Sequence, residues 1–292
     1  GSGDLVDGVT SFAMALATQE IGGSAAAEGG FRAALASVSK GLGEDNVYTG
    51  LIHCELGTCL QEQKKYADAE VHFRKSFEIA NDKVQLQHPR IRLLTERFTR
   101  LLRITGKTDE AVTVWEKFLT AQKKRFETHR YVAEATYEFA DFLRDAHRYE
   151  QSTLEYKRFL ELASTLRKGG AFSVDLAHFW IGRNLLDQPD PDAVAAEAAL
   201  TASLNSLKAD PPPGKDLASE EAFTRIYLAQ AMIKQNRTTD AEQVLRQADE
   251  NAKSIVLPKS QVDFRERFLE TRVLLHQQNK EPAKIVGEYE FW

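Results

Sequence analysis

Histidine and cysteine are the side chains here that could bind a metal ion or act as a nucleophile. The seven His are scattered along the chain, and only His53, Cys54 and His72 suggest a possible metal cluster. These three lack the short ligand spacings by which a zinc site is recognised. We therefore predict that no metal is bound and that Cys54 and Cys59 are small residues of one helix.

The two cysteines also bear on redox chemistry. Cys54 and Cys59 are five residues apart, so on one α-helix their side chains diverge by about 140°, and a disulfide between them is geometrically poor. Two reduced cysteines favour a reducing compartment, and we expect a cytoplasmic protein.

Phosphate-binding loops and catalytic motifs are the next chemistry to consider. No Gly-rich loop opens a helix, and "RKGGAFS" lacks the spacing of a nucleotide fingerprint. No Ser has a nucleophile signature around it. The sequence therefore predicts no catalytic residues, no cofactor and no enzymatic activity.

Arginine is concentrated in "RIRLLTERFTRLLRITGK", residues 90–107, which holds five Arg and one Lys in a chain of net charge -5. Such a stretch is either a binding surface or a solvated helix. Acidic residues are interleaved along the chain, whereas nucleic-acid binding needs a continuous basic stripe. We predict no nucleic-acid partner.

Composition indicates a folded soluble chain. Charged residues make up 28% and apolar residues 42% of the 292 residues, which is ordinary for a globular protein. No apolar run approaches the roughly 18–20 residues of a membrane span. We therefore expect no membrane segment in this sequence.

Internal repetition is the strongest signal. In "LGTCLQEQKKYADAEVHFRKSF", which begins at Leu56, the residues Ala69, Phe73 and Phe77 are spaced by four. Looser copies follow around "WIGRNLL" and "YLAQAMIKQNRTTDAEQVL", and Ala283 lies 42 residues beyond Ala241. Steps of 42 or 41 residues carry this pattern to Met14, Ala27, Phe31 and Leu35, to Phe98, Ala111, Trp115 and Leu119, and to Phe139, Ser152, Tyr156 and Leu160.

The repeat predicts about seven helical pairs. Each is an amphipathic helix, a short turn and a second helix that opens with a small residue and places an aromatic residue four positions later. The small residue allows close helix approach and the aromatic fills the space between pairs. One pair cannot bury its apolar face alone, so the pairs must stack.

This pattern resembles the tetratricopeptide-repeat (TPR) family at Leu56, Gly57, Tyr66, Ala69 and Phe73. A period near 42 residues is similar to the kinesin-light-chain subtype. The resemblance implies an all-α, right-handed superhelix (an α-solenoid) that works as a protein-binding scaffold or adaptor. A second resemblance gives an alternative function: "RVLLHQQNKEPAKIVGEY" is similar to the end of TPR arrays in certain bacterial serine/threonine kinases.

The spacing also divides the chain. Residues 4–164 form four regular units, and residues 165–292 form irregular units and a cap, continuous with the first part. Three loops interrupt the second part, as local insertions or as a hinge: 166–173, 187–193 and 208–219.

The TPR resemblance implies which residues line a concave groove. In that family the first helix of each pair faces the groove, at positions two before, two after and five after the residue equivalent to Leu56. The middle three units then carry four Arg with aromatic and acidic neighbours, which favours an acidic, aromatic-bearing peptide as partner. The predicted peptide-binding residues are Arg100, Arg103, Tyr137, Asp141, Arg144, Phe179 and Arg183.

An internal ion-pair ladder explains the same arginines without any ligand. Asp141 would then pair with Arg100 on one side and with Arg183 on the other. The terminal "GEYEFW" is expected to cap the last helix, and alternatively to occupy a groove itself.

Overall fold

The computed structural model describes residues 2–80, 90–166, 173–209, 211, 216–255 and 258–290, with the side chains of 2–4, 90, 258–261 and 288–290 left aside. These residues form fourteen α-helices and no β-strand, which confirms the predicted all-α class and the seven helical pairs. The first eight helices are α1 Ser2–Gly22, α2 Ser24–Leu42, α3 Val47–Glu62, α4 Tyr66–Ile79, α5 Arg90–Ile104, α6 Thr108–Phe126, α7 Arg130–Asp145 and α8 Tyr149–Thr165. The remaining six are α9 Val174–Asp187, α10 Ala193–Ala209, α11 Leu217–Lys234, α12 Thr238–Ala252, α13 Pro258–Gln278 and α14 Pro282–Glu290.

Packing divides the chain into two compact units, Gly1–Ala135 and Thr136–Trp292, and the division falls between two residues of α7. The predicted change near residue 164 concerned the regularity of the spacing, and it stays a prediction. Residues 188–192 join α9 to α10, as expected of the second interrupting loop. The other two loops extend into 167–172 and into 210 and 212–215, and the side chains of "GEYEFW" also lie outside the described residues.

The predicted alternation of small and large residues builds the cores of both compact units. In six of the seven pairs the small residue near the start of the second helix is fully buried, and so is the large residue four positions on. A methyl or hydroxymethyl group at the small position lets the paired helices approach closely, so the large residue fills the space beyond. These pairs are Ala27 and Phe31, Ala69 and Phe73, Ala111 and Trp115, Ser152 and Tyr156, Ala196 and Leu200, and Ala241 and Leu245.

The two ends of the repeat pattern differ from the prediction. Met14 is 65% exposed, and the adjacent Ala15 is buried instead. A Cβ on Gly30 of α2 would lie 2.9 Å from the Ala15 Cβ, so Ala15 is the contact residue of α1. Ala283 is also exposed, because α14 is a nine-residue helix packed on α13 and no described residue covers its outer side.

A left-handed residue closes the first helix of five pairs at the same repeat position. Gly106 has φ of 80°, and the equivalent residues are Lys64 (62°), His147 (58°), Asn236 (61°) and Lys280 (58°). The following N–H donates five residues back, from Lys65 to the Leu60 carbonyl at 2.9 Å and from Lys107 to the Leu102 carbonyl at 2.7 Å. This is a Schellman-type helix end, which fixes the turn into the second helix.

Opposite stability changes are expected at two of these turns. Gly106→Ala places a Cβ in the left-handed conformation and should lower the free energy of unfolding by about 1 kcal/mol. Lys64→Gly removes that strain at an equivalent turn and should raise it by up to about 1 kcal/mol, less the added chain entropy of glycine. Urea unfolding midpoints of the two variants measure the difference. A shift of both in the same direction would contradict the left-handed turn assignment.

Ion pairs join successive helical pairs within each unit. The carboxylate of Glu28 in α2 accepts from Lys65 at 2.7 Å, and Glu70 in α4 accepts from Lys107 at 2.6 Å. Glu197 and Arg237 make the same bridge in the C-terminal unit at 2.7 Å. Hydrogen bonds from Lys65 and Arg32 lower the pKa of Glu28 to about 2. Since the cations are more than 40% exposed, these bridges set the register of the helices more than they add stability.

Candidate functional site

The predicted groove residues of α7 lie on one helix face, in the C-terminal unit. Tyr137, Asp141 and Arg144 follow each other at steps of four and three, which brings their side chains to the same side. The Tyr137 ring packs edge-on against Tyr156 at 5.4 Å and against Phe159 at 5.0 Å between ring centroids. Tyr137 is therefore an aromatic wall against α8 rather than a freely projecting side chain.

Asp141 is held by groups of its own unit. Its carboxylate accepts a hydrogen bond from Arg144 at 2.7 Å and another from the Tyr156 hydroxyl. Burial raises the pKa of Asp141 above its ordinary value, while the Tyr156 hydrogen bond and the Arg144 charge oppose that rise. Burial also raises the pKa of Tyr156, so its hydroxyl stays protonated and able to donate.

The guanidinium of Arg144 has partners at both its edge and its planar face. Besides Asp141, its guanidinium donates to the Tyr156 hydroxyl at 3.0 Å and to Asp145 at 3.1 Å. Its Cζ lies 3.8 Å from the centroid of the Trp180 ring, a close cation–π contact. Arg144 thus fastens α7 to α8 and α9.

The α9 residues continue this cluster toward α11. Phe179 packs edge-on against Trp180 at 5.0 Å and against Tyr227 at 5.5 Å. The Arg183 guanidinium lies 4.7 Å from the Tyr227 ring centroid and 5.3 Å from that of Trp180. We call the whole set the aromatic–arginine cluster: Tyr137, Asp141, Arg144, Tyr156, Phe179, Trp180, Arg183 and Tyr227.

Arg183 is the least committed cation of the aromatic–arginine cluster. Its ion pair with Asp187 is long, at 3.4 Å, and joins two residues of the same helix. Its Nε is buried, and no described residue accepts a hydrogen bond from it. No ion pair between Asp141 and Arg183 is present among the residues described for the C-terminal unit, so that step of the predicted ladder does not form.

The Arg-rich stretch belongs to the N-terminal unit, where most of its described cations have partners. Arg97 pairs with Glu55 at 2.9 Å, Arg100 with Glu96 at 2.7 Å and Arg92 with Glu134 at 3.7 Å. Arg103 makes no ion pair with any residue that the structure describes, and its side chain is half-buried. The stretch is therefore mainly an ion-paired helix, in which Arg100 and Arg103 stay candidates for binding.

Trp180, Tyr156 and Tyr227 are the members of the aromatic–arginine cluster that the groove positions did not include. Trp180 stands one residue before Ile181, the equivalent of Leu56, and Ile181 is buried. The signal for Trp180 in the sequence was an aromatic residue directly beside the predicted groove residue Phe179. The direction of its ring, between two arginines, is set by the packing of α7 and α9.

The two cysteines and the histidines His53 and His72 lie in the N-terminal unit, outside this cluster. Cys54 and Cys59 are free and buried, as expected of reduced helix residues. Burial raises the pKa of Cys54 to about 12, so its thiol is protonated at neutral pH. His53 and His72 meet at 2.8 Å between their Nδ1 atoms. No group of three or more possible ligands is placed to hold a metal in the described parts of the chain.

As for membranes, none of the helices described has both the length and the apolar character needed to cross a bilayer.

Solved structures with the same architecture settle the fold. A tetratricopeptide repeat protein from Parabacteroides merdae superposes with a TM-score of 0.56 at 11% identity, over 97% of this chain and 91% of that one. BtubC (BKLC) from P. vanneervenii gives 0.55 at 17% identity, over 77% and 92%. The chain has the TPR fold. The nearly identical TPR-like repeats of a Podosopora anserina protein named as a kinesin light chain give 0.52 at 14% identity, over 68% and 92%.

These likenesses confirm the predicted TPR architecture, including its similarity to kinesin-light-chain-like repeats. No family model and no curated protein sequence matches the chain. Identities below 20% carry the fold and leave the partner open. The comparisons indicate no catalytic family, and the similarity to kinase-attached arrays stays a prediction.

Proposed function

We propose that this TPR chain is a protein-binding scaffold and that α7 and α9 of its C-terminal unit receive an acidic segment of a partner. The observation that carries the proposal is Arg183, a cation held between the rings of Trp180 and Tyr227 with only a long ion pair to Asp187. An arginine oriented by aromatic rings is prepared to bind a carboxylate with two hydrogen bonds.

The rest of the aromatic–arginine cluster supports this role by fixing the position of Arg183. Arg144 and Asp141 satisfy each other at 2.7 Å, so they act as the frame that holds Trp180 rather than as the ligand-binding charges. Side-chain entropy is then lost during folding and not during binding. An aromatic residue of the partner would find the edges of Phe179 and Trp180 beside the carboxylate site.

Peptide selection against the full chain tests the proposal. A library of random peptides displayed on phage should yield sequences rich in Asp and Glu. The best selected peptide should bind Arg183→Glu at least tenfold more weakly, because one charge-assisted contact contributes about 1.5–3 kcal/mol. Arg183→Lys should be intermediate, since it keeps the charge and loses the planar fork.

The matched control is Arg246→Glu, which makes the same charge change on the exposed surface of α12 in the same unit. Equal weakening by Arg246→Glu, or selection of basic peptides, would contradict the proposal. Arg100→Glu and Arg103→Glu test the predicted contribution of α5 separately. Melting temperatures of all variants must match, so that lost binding is not lost folding.

A further inference from the structure

A basic cavity in the N-terminal unit is separate from the aromatic–arginine cluster. It lies among α2, α3 and α4 and has a volume of about 690 Å³, within the range of small-molecule sites. Three cations and one carboxylate line it together with two histidines: Arg32, Lys40, Lys75, Glu44, His53 and His72. The lining is cationic although the whole chain carries a net charge of -5.

The charges facing the histidines come from every neighbouring element. From α2, Arg32 acts on His72, and Arg32 is itself paired with Glu28 at 2.9 Å. From α4, Lys75 acts on His53 while it pairs with Asp45 at 2.8 Å and with Glu78 at 3.7 Å. Asp68 and Glu28 act on His72 in the opposite sense, and Glu44 lies in the cavity wall.

The two histidines form a hydrogen-bonded pair with a defined protonation pattern. Their Nδ1 atoms are 2.8 Å apart, so one Nδ1–H donates to the other Nδ1. In the neutral pair one ring then has an Nε2–H donor and the other an Nε2 acceptor. Adding a single proton keeps the Nδ1–H···Nδ1 bond and makes both Nε2 atoms donors.

The surroundings of the two rings disfavour that proton. Burial, with smaller contributions from His72 and Lys75, lowers the pKa of His53 to about 4. Burial lowers the pKa of His72 as well, with help from Arg32. Burial is the main cause of both shifts, so the attraction for an anion comes from the lining itself, which carries three cations against the one carboxylate of Glu44.

We propose that this cavity binds a doubly charged oxyanion, of the kind carried by inorganic phosphate or a small phosphate monoester, together with one proton on the His53–His72 pair. The cations of the lining supply the attraction, and the protonated pair presents two Nε2–H donors where the neutral pair presents one. Because anion and proton stabilise each other, binding tightens as the pH falls.

Sulfate is the probe that isolates the protein's own proton uptake, since it stays a dianion throughout the range used. Titration calorimetry of the full chain at constant ionic strength, balanced with chloride, should give about tenfold tighter sulfate binding at pH 5.5 than at pH 7.5. Repeating the titration in two buffers of different ionisation enthalpy should show proton uptake at pH 5.5.

Three variants define the site. His53→Gln combined with His72→Gln should leave sulfate affinity the same at both pH values. Lys40→Gln should weaken binding severalfold at both, whereas Lys117→Gln, an exposed change on α6, should leave it unaltered. The proposal is overturned if sulfate does not saturate, if the double variant keeps the pH dependence, or if Lys117→Gln weakens binding as much as Lys40→Gln.

Two further titrations at pH 7.5 distinguish the sources of the dianion. Tighter binding of glycerol phosphate than of inorganic phosphate would assign the site to a phosphate monoester, because the cavity has room for the organic part. Equal binding would assign it to the free ion. Failure of both, when sulfate binds, would overturn the assignment to phosphate. None of these results depends on peptide binding in the C-terminal unit.

Discussion

Gly182→Ala is expected to destabilise the protein by roughly 2–3 kcal/mol, because the added methyl group enters a filled space. A Cβ at this position would lie 2.5 Å from Leu200 Cγ and 2.9 Å from Leu200 Cδ2. The backbone oxygen of Ala196 is also close, at 3.2 Å, and cannot move without bending α10. Relief must therefore come from separating α9 and α10 at their closest approach.

The matched control is Gly29→Ala, another glycine inside a helix. No atom of the described residues lies within 4 Å of its added Cβ, and the position is exposed. Alanine has a higher helix propensity than glycine by about 1 kcal/mol, so this variant should be more stable than the parent. Denaturant unfolding of both variants gives the comparison. If Gly182→Ala gained stability as Gly29→Ala does, the close packing of α9 on α10 would be wrong.

Helix pairing was predictable because it depends on residue size at fixed spacing. A small residue followed four positions later by a large one identifies the inner face of a second helix, as in Ala69 with Phe73 and Ala111 with Trp115. Gly57 and Gly182 occupy equivalent positions of the first helix, and both face the large residue of the second. The end pairs depart from this rule, because Ala15 rather than Met14 contacts α2 and no described residue covers the outer side of Ala283.

Side-chain partners in the C-terminal unit were less predictable than helix positions. Arg144 was expected to face a ligand, yet it donates to Asp141 and Tyr156 and lies on Trp180. Repeat spacing places a residue on a helix face, but the alternative partners of a long side chain on neighbouring helices differ in interaction energy by a few kcal/mol or less. Predicting the actual partner therefore requires the distances between helices.

A buried polar chain gives a second case. Asn184 donates to the Ser152 hydroxyl at 2.9 Å, and Ser152 donates to the Ala140 carbonyl at 2.8 Å. The repeat identified Ser152 only as a small residue in place of alanine. Its hydroxyl has a structural role because Asn184 arrives from the following pair, and a buried amide must find an acceptor. Size was readable from the sequence, whereas this hydrogen bonding was not.

Acid should destabilise the N-terminal unit through the His53–His72 pair. Burial lowers the pKa of His53 from 6.5 to about 4 in the folded chain. Well above pH 6.5, His53 is neutral in both the folded and the unfolded chain, so this residue does not change the free energy of unfolding with pH. Below it the unfolded chain takes up a proton that the folded chain refuses, and the free energy of unfolding falls until the pH nears 4. His53 alone should then cost about 2 kcal/mol between pH 7 and pH 5.

Denaturant unfolding at pH 7, 6 and 5 measures this loss, and His53→Gln with His72→Gln should reduce it. The exposed His129→Gln serves as the control and should retain the full loss. Glu28 has its pKa lowered to about 2, so its contribution disappears only below pH 4.5 and leaves this window clear. The buffers must contain chloride rather than sulfate or phosphate, because an oxyanion bound in the basic cavity would favour the protonated pair and offset the loss. An undiminished acid loss in the double variant would place the responsible group elsewhere.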